Sequence, residues 1–584
     1  MTSSAFMNMA QTEQIFGTHT RHVAVTLRRL PDARLIWLNR RVMHLDPQFT
    51  NTLSTQLYKQ NLLRQCAYAI PDEIFTISHV QESTSATVDR YGGEGIGCNG
   101  GSGRAVFVNG YHVKGIGRTP LVSPLTDQAH ASGGAYLEEC AREVVLSEIV
   151  NAEFPHGAVP VLAIIDTGFV QIWDTDRGPK LERRCLLIRP AYLRPAHFMR
   201  ALNYVGYHHH DGMVDAQRVA LTTQIACEQF GLNEFSAQWE NFWSRWAIQL
   251  AYAFVHRLNH GGNSASNIAL DGQLMDFGGM TALPSWARIS MTEGGWPAGQ
   301  DLNYLIHAQH CAAAMLAKHI KKDWIQAEKW QSLQACALAS YQKTVVSELL
   351  RVSGLTRQHA SYLLNSDLSE QVFAASNRLL GHYSREQFVI FEGMPAPNFA
   401  WDLACFWQIE PPQHLRELRG LIELALSKGV FLTQTKILKN MWAVRCHLLS
   451  KTRSGLFREN IKEDLYQALD GDFSGKALTE KHVTQVINQF TLRHRLDSKL
   501  EPDNAAPLGY AISSSASYAL FKDLLDGHIF AMQEWTDEGF EERIESRIVI
   551  QEIHNRRINH VQSDESDIAI DFRWDEEALN TNLQ

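Results

Sequence analysis

The chain has 584 residues, 45% of them hydrophobic and 20% charged, with a formal net charge of −9 at pH 7. That is the composition of a globular protein long enough for several structural units. The negative charge argues against broad binding to nucleic acid or anionic membranes. No stretch reaches the ~18 uninterrupted apolar residues of a membrane helix, and the start, MTSSAFMNMAQTEQIFG, lacks the basic residues and long apolar run of a secretory signal. The nine cysteines form no CxxC pair, so neither a zinc site nor a disulfide framework is expected, and a reducing, cytoplasmic setting fits.

Residues 1–85 read as a mixed, mostly helical N-terminal extension, with a helix from Asn51 to Tyr68. Glycine then concentrates between Tyr91 and Gly117. Within that segment RAVFV and YHVKG are β-rich runs joined by Asn109-Gly110, the strongest short hairpin signal a sequence offers. The second run ends in Lys114. Glycines let backbone N–H groups approach phosphates, and a lysine on the adjoining strand supplies a point charge. A surface hairpin with a snorkelling lysine accounts for the same residues equally well.

A helix is expected from Ala135 to Ala152, followed by strands in VPVLAIID, FVQIWD and RRCLLIRP. This order over residues 86–190 suits the small lobe of a protein kinase, where a helix glutamate pairs with the strand lysine. Glu143 sits mid-helix, although Glu138, Glu139 and Glu148 share that helix. Arg189 and Arg194 flank PAYL, and a planar guanidinium is a ready phosphate clamp. Structural salt bridging is the alternative for either arginine.

From about Pro195 the pattern turns helical, and residues 191–420 read as a large lobe. Trp239, Trp243 and Trp246 recur at helical spacing, as core residues do. The run Tyr207-His208-His209-His210-Asp211 invites a metal assignment, but adjacent histidines converge poorly on one ion, so a surface loop or helix start is expected. GGNSASNIALDGQLMDFG, residues 261–278, sets Asn267 nine residues before Asp276 with a tight Asp271-Gly272 turn between them. An amide oxygen and a carboxylate at that spacing are hard ligands suited to Mg²⁺ on nucleotide phosphates; a hairpin whose Asp caps a turn is the plainer alternative. His260 is read as holding the loop rather than as a base. Further helices are expected at 301–318, 323–352 and 415–426. Residues 421–584 read as a helical C-terminal region whose Ser563–Glu577 segment is acidic and solvated.

Taken together, GGSGRA, VKGIGRTP, the ARE of the helix, LLIRPAYLRPAHF and NHGGNSASNIALDGQLMDFGG resemble the selenoprotein O family over roughly Arg90 to Leu316. Members of that family are kinase-fold proteins that transfer AMP to protein hydroxyls. The resemblance implies an α+β, protein-kinase-like two-lobed fold with a mostly helical C-terminal extension. It further implies that Gly101, Gly103 and Arg104 line ATP with Lys114, and that Gly133 lies in a second nucleotide-contacting loop. Glu143 would pair with Lys114, Arg189 and Arg194 would hold phosphates, and Asn267 and Asp276 would bind Mg²⁺. ATP would lie flipped, with its α-phosphate facing a hydroxyl of a protein or peptide acceptor.

Four departures from the family stand out. Ser266 replaces the proton-accepting Asp immediately before the metal-binding Asn, and Ser132 replaces the Asp preceding Gly133. The arginine segment is shorter, and the selenocysteine-containing tail of some members has no counterpart. A serine hydroxyl is a very poor base, so AMP transfer stands beside a nucleotide-binding scaffold without turnover, and beside ordinary phosphorylation.

Overall fold

Strand RRCLLIRP shows how the sheet is built. Leu186 and Ile188 join one hydrophobic cluster while Cys185 and Leu187 join another, so alternate residues face opposite cores. This is a computed structural model. It describes residues 6–49, 54–93, 98–127, 131–175, 178–206, 212–291, 296–399, 401–431, 442–443, 445–446, 449–450, 453–469 and 478–495, and strands at 509–514, 518–523, 529–536 and 539–544. The histidine run at 207–211 and the acidic segment at 563–577 lie outside the described residues.

The fold is mixed α/β, with a nine-stranded antiparallel sheet that curls and a large set of helices. Across the sheet run Arg34–Leu38, Ala163–Thr175, Gly178–Tyr192, Tyr111–Lys114, Ala105–Val108, Ser83–Val88, Ala24–Arg29 and Tyr68–Ala69, while Phe6–Met7 pairs with the end of Gly178–Tyr192. The Asn109-Gly110 turn forms as its letters predict: both residues have positive φ, 51° and 82°, and Ala105 pairs with Lys114. FVQIWD is not a separate strand. It continues AIID as one strand, Ala163–Thr175, with a register shift between Asp166 and Val170.

Helix Leu137–Glu153 packs against strand Gly178–Tyr192 and is buried along nearly its whole length. Its far end is held by charge. Glu153 takes two bonds from Arg453 at 2.9 and 3.0 Å, and Glu148 accepts from Asn39 at 2.7 Å and from Arg41. Helices Arg458–Leu469 and Glu480–His494 lie along it. Elsewhere helices Gly212–Phe230, Leu232–Val255, Leu302–His319 and Ala327–Val352 pack around Trp239, Trp243 and Trp246, all buried as their spacing predicts. Among the described residues no helix is long and apolar enough to cross a membrane.

Two expectations need correction. Residues 1–85 are not mainly helical, because four strands within them and the start of a fifth, Ser83–Val88, join the central sheet, where backbone pairing, as of Arg34–Leu38 with Ala163–Thr175, outweighs weak local signals. The C-terminal region is not helical throughout. Gly509–Ser514, Tyr518–Asp523, Ile529–Thr536 and Gly539–Ile544 form a four-stranded antiparallel meander. Runs of six to eight residues are too short for their period alone to separate strand from helix.

Candidate functional site

Three separate segments bring opposite charges together at one end of two central strands of the sheet. Lys114, 7% exposed at the end of its strand, places its Nζ 2.9 Å from Asp276 Oδ1 and 3.1 Å from Glu139 Oε1. Arg104, next to the Ala105 that pairs with Lys114, binds Glu139 through both oxygens at 2.8 and 3.0 Å and donates to Gly134 O at 2.8 Å. Asp276 itself is 44% exposed, and its second oxygen has no partner among the described residues.

Charge sets the protonation here. Burial would raise the Glu139 carboxyl, but Arg104 and Lys114 hold it down at about 2. Burial also opposes ionisation of Asp276, yet Lys114 and Arg104, with Arg189 beyond, keep it well below the usual carboxylate range. Burial and Arg104 press Lys114 towards neutrality, and the carboxylates of Asp276, Glu139 and Glu143 overcome them. The centre is therefore two cations and two anions, all ionised at neutral pH.

Glu143 is not the partner of Lys114. It ion-pairs with Arg189 and accepts the Phe277 N–H at 3.0 Å, while Arg142 reaches Gly278 O at 2.7 Å. The helix thus staples the Phe277-Gly278 backbone with one turn and presents Glu139, a turn earlier on the same face, to Lys114. Sequence spacing could not choose between carboxylates four residues apart on one helical face. The arginines also differ from expectation. Arg189 is 2% exposed and spent on Glu143; Arg194 binds Asp89, donates to Ser266 O at 2.5 Å and lies over the Tyr91 ring. Both brace the frame with the protein's own carboxylates.

Asp89 was missed from the sequence. Wholly buried, it takes His112 Nε2 and His197 Nε2, each at 2.9 Å, beside Arg194. Burial favours its neutral form, but Arg194 and the two histidine bonds hold its carboxyl well below the ordinary range. Nothing local in VDRYGG marks it, since its partners come from distant segments of the chain.

The glycines serve backbone packing. A Cβ on Gly101, at φ 152°, would lie 2.5 Å from Asp89 O, and one on Gly133, at φ 70°, would lie 2.1 Å from Arg118 N. Gly103 offers its carbonyl to Thr119 N at 3.0 Å. Ser132 bonds Tyr136 Oη at 3.1 Å and accepts Gly134 N–H at 3.3 Å, turning the chain into the glutamate helix.

The Asn267–Asp276 segment folds back on itself as a narrow hairpin. Its strands shrink to one bridge, Ile268 with Leu274, and Ala269 and Gln273 close a three-residue turn through Gly272 at φ 92°. Met275 N–H donates to Asn267 O at 3.0 Å. The Asn267 amide nitrogen is spent on Gly262 O at 2.8 Å, which leaves the amide oxygen for a cation. Asp276 has φ 60° and ψ 70°, an uncommon left-handed conformation for a non-glycine residue. His260 bridges the loop as expected: Nδ1 accepts Gly262 N–H at 3.3 Å and Nε2 contacts Met275 O at 2.9 Å, and burial lowers its pKa. Ser266 is 2% exposed and hydrogen-bonds Ser264 Oγ at 2.7 Å. No carboxylate occupies that position.

The donor set suits a cation that keeps most of its water or phosphate ligands, as Mg²⁺ does. An ionised, partly exposed carboxylate and one amide oxygen are what such an ion asks of a protein. Among the described residues no three His, Cys, Asp or Glu side chains converge as a closed metal cage. No protein-family model matches the chain, and no curated protein matches it.

Proposed function

We propose that the chain transfers AMP from ATP, with Mg²⁺, to a hydroxyl side chain of a protein or peptide. The observation that carries this reading is the Lys114–Asp276 contact at 2.9 Å, made across 162 residues of sequence and flanked by Arg104 and Glu139. In the proposed arrangement Lys114 and Arg104 face phosphates, and the curled sheet and the helices act as the two lobes of a protein-kinase-like fold. Asn267 and Asp276 are the residues to hold Mg²⁺, which would neutralise phosphate charge when bound. Arg189 and Arg194 keep the frame rigid. A cytoplasmic setting accords with a cysteine spacing that offers no CxxC pair.

In the reaction the acceptor oxygen attacks the α-phosphorus, the bond to pyrophosphate breaks, and the hydroxyl proton leaves to solvent. Ser266 supplies no base, so this step forgoes a factor of ~10²–10⁴. Positioning and electrostatic stabilisation contribute more than a base does in such transfers, and here both fall to the charged centre. The test is parallel incubation of candidate acceptors with α- and γ-labelled ATP. Label from the α-position that disappears in Lys114→Ala and rises in Ser266→Asp supports the reading. Label only from the γ-position replaces it with phosphorylation.

The buried Ser264–Ser266 hydroxyl pair favours a second reading, a nucleotide-binding scaffold without turnover. That reading expects ATP to raise the melting temperature while no label moves. AMP transfer abolished by Asp276→Ala would remove it.

A further inference from the structure

A cleft of about 320 Å³ opens where the segment after the Asn267–Asp276 hairpin packs on helices Ala327–Val352 and Ser369–Tyr383. That volume is at the lower end for small organic ligands. Phe254, Trp286, Phe373, Val345, Val346 and Leu380 give it apolar walls with three aromatic rings. Its polar lining residues are Arg288, Gln300, Tyr341, Gln342, Asn377 and Ser384, and two of them mark the ends of a ligand. Tyr341 is 8% exposed, yet its hydroxyl has no hydrogen-bond partner among the described residues, an unfavourable state for a buried donor. Arg288 is exposed at the cleft and makes no ion pair among the described residues.

We propose that this cleft binds a small aromatic carboxylate, its ring against Phe254 and Trp286, a polar ring substituent at the Tyr341 hydroxyl and its carboxylate on Arg288. The aromatic walls select a flat apolar body, and the volume admits a single ring with a short side chain rather than a folded peptide. A guanidinium pairs with a carboxylate through two parallel bonds, which sets the sign of the ligand.

The cleft also has a physical link to the candidate site. Gly299, in the cleft wall, donates its N–H to Asp301 Oδ2 at 3.1 Å. The other Asp301 oxygen holds Asn259 at 3.2 Å and Asn263 at 2.8 Å, and Asn263 immediately precedes the Ser264–Asn267 turn. One buried carboxylate therefore joins the wall to the loop, and a ligand that fixes the wall steadies the loop. Ligand binding itself is independent of whether AMP is transferred.

The test is calorimetric titration of the full chain with 4-hydroxyphenylacetate, phenylacetate and the neutral 2-(4-hydroxyphenyl)ethanol. One-to-one saturation by the hydroxylated acid is expected at ~1 mM or below, the range open to about a dozen heavy atoms. Arg288→Ala should weaken both acids about tenfold and leave the neutral alcohol unchanged. Tyr341→Phe should erase the preference for the hydroxylated acid over phenylacetate. Both substitutions spare the apolar walls, and wild-type melting confirms that each variant folds. In wild type, ligand should slow amide exchange at Asn259–Asn263. Failure of the acid to saturate, or saturation indifferent to Arg288→Ala, overturns the site. Binding without slowed exchange overturns the coupling.

Discussion

Glu139→Gln isolates the carboxylate that Arg104 and Lys114 share. In the folded protein it is held at about 2 instead of its ordinary 4.5, which corresponds to about 3 kcal/mol of stabilisation by its cations. The side chain is only 14% exposed, so solvent screening takes little from that figure. Gln keeps an amide oxygen for Arg104, and Asp276 stays on Lys114, so a net loss of about 2–3 kcal/mol is expected at neutral pH. The sign of the pH dependence follows from the depressed carboxyl. Its contribution is complete above pH 4.5 and is lost as pH falls towards 2. Urea unfolding of wild type and variant from pH 7 downwards should therefore show a constant gap that narrows only below about pH 4.5. A variant as stable as wild type at pH 7, or a gap that stays unchanged to about pH 3, refutes the assigned charge cluster. If phosphates bind beside Lys114, removing this negative charge also tightens ATP binding by about tenfold.

Glu143→Ala should cost more, about 3–5 kcal/mol, because it strands the buried Arg189 charge and leaves Phe277 N–H without its acceptor; chemical denaturation measures the loss. Asp301 behaves oppositely to Glu139. Burial lifts its carboxyl from 3.8 to about 6 against the bonds from Asn259, Gly299 and Asn263, so its effect on stability turns unfavourable as pH rises from about 4 through 6. Comparing urea midpoints of wild type and Asp301→Asn over that range should show this decline in wild type alone. Gly133→Ala should destabilise by about 2 kcal/mol or more, since a methyl there meets backbone at 2.1 Å with φ at 70°; loss of soluble expression or a lowered melting temperature reports it. Finally, Lys114→Ala and Asp276→Ala should each abolish any ATP-dependent rise in melting temperature, whereas Ser266→Ala should leave it in place.

Local signals were legible wherever a few adjacent residues decide the outcome. Asn109-Gly110 set its turn because both positions need positive φ, and the tryptophans were buried because their spacing lies on one helical face. Lys114 and Asp276 were also singled out by chemistry at fixed spacing, and the structure sets them 2.9 Å apart. The sheet contributions of residues 1–85 and the C-terminal meander were not. A strand of two to eight residues gains its stability from partners elsewhere in the sheet, and its own sequence hardly distinguishes it from a loop or a helical turn.

By itself the sequence determined which chemical groups were available: a hairpin lysine, a helix rich in glutamate, an Asn/Asp pair in a glycine-bounded loop, and a serine where a base was expected. Only the tertiary structure decided how those groups pair. It gave Lys114 to Glu139 rather than Glu143, turned Arg189 and Arg194 from expected ligand-binding groups into internal struts, and drew Asp89 and Asp301 in as unseen anchors. The physical reason is that a buried ion needs a counter-ion within a few ångströms. Which counter-ion arrives depends on the packing of strands, helix and loop, and residues four apart on one helix turn are equivalent until that packing is complete.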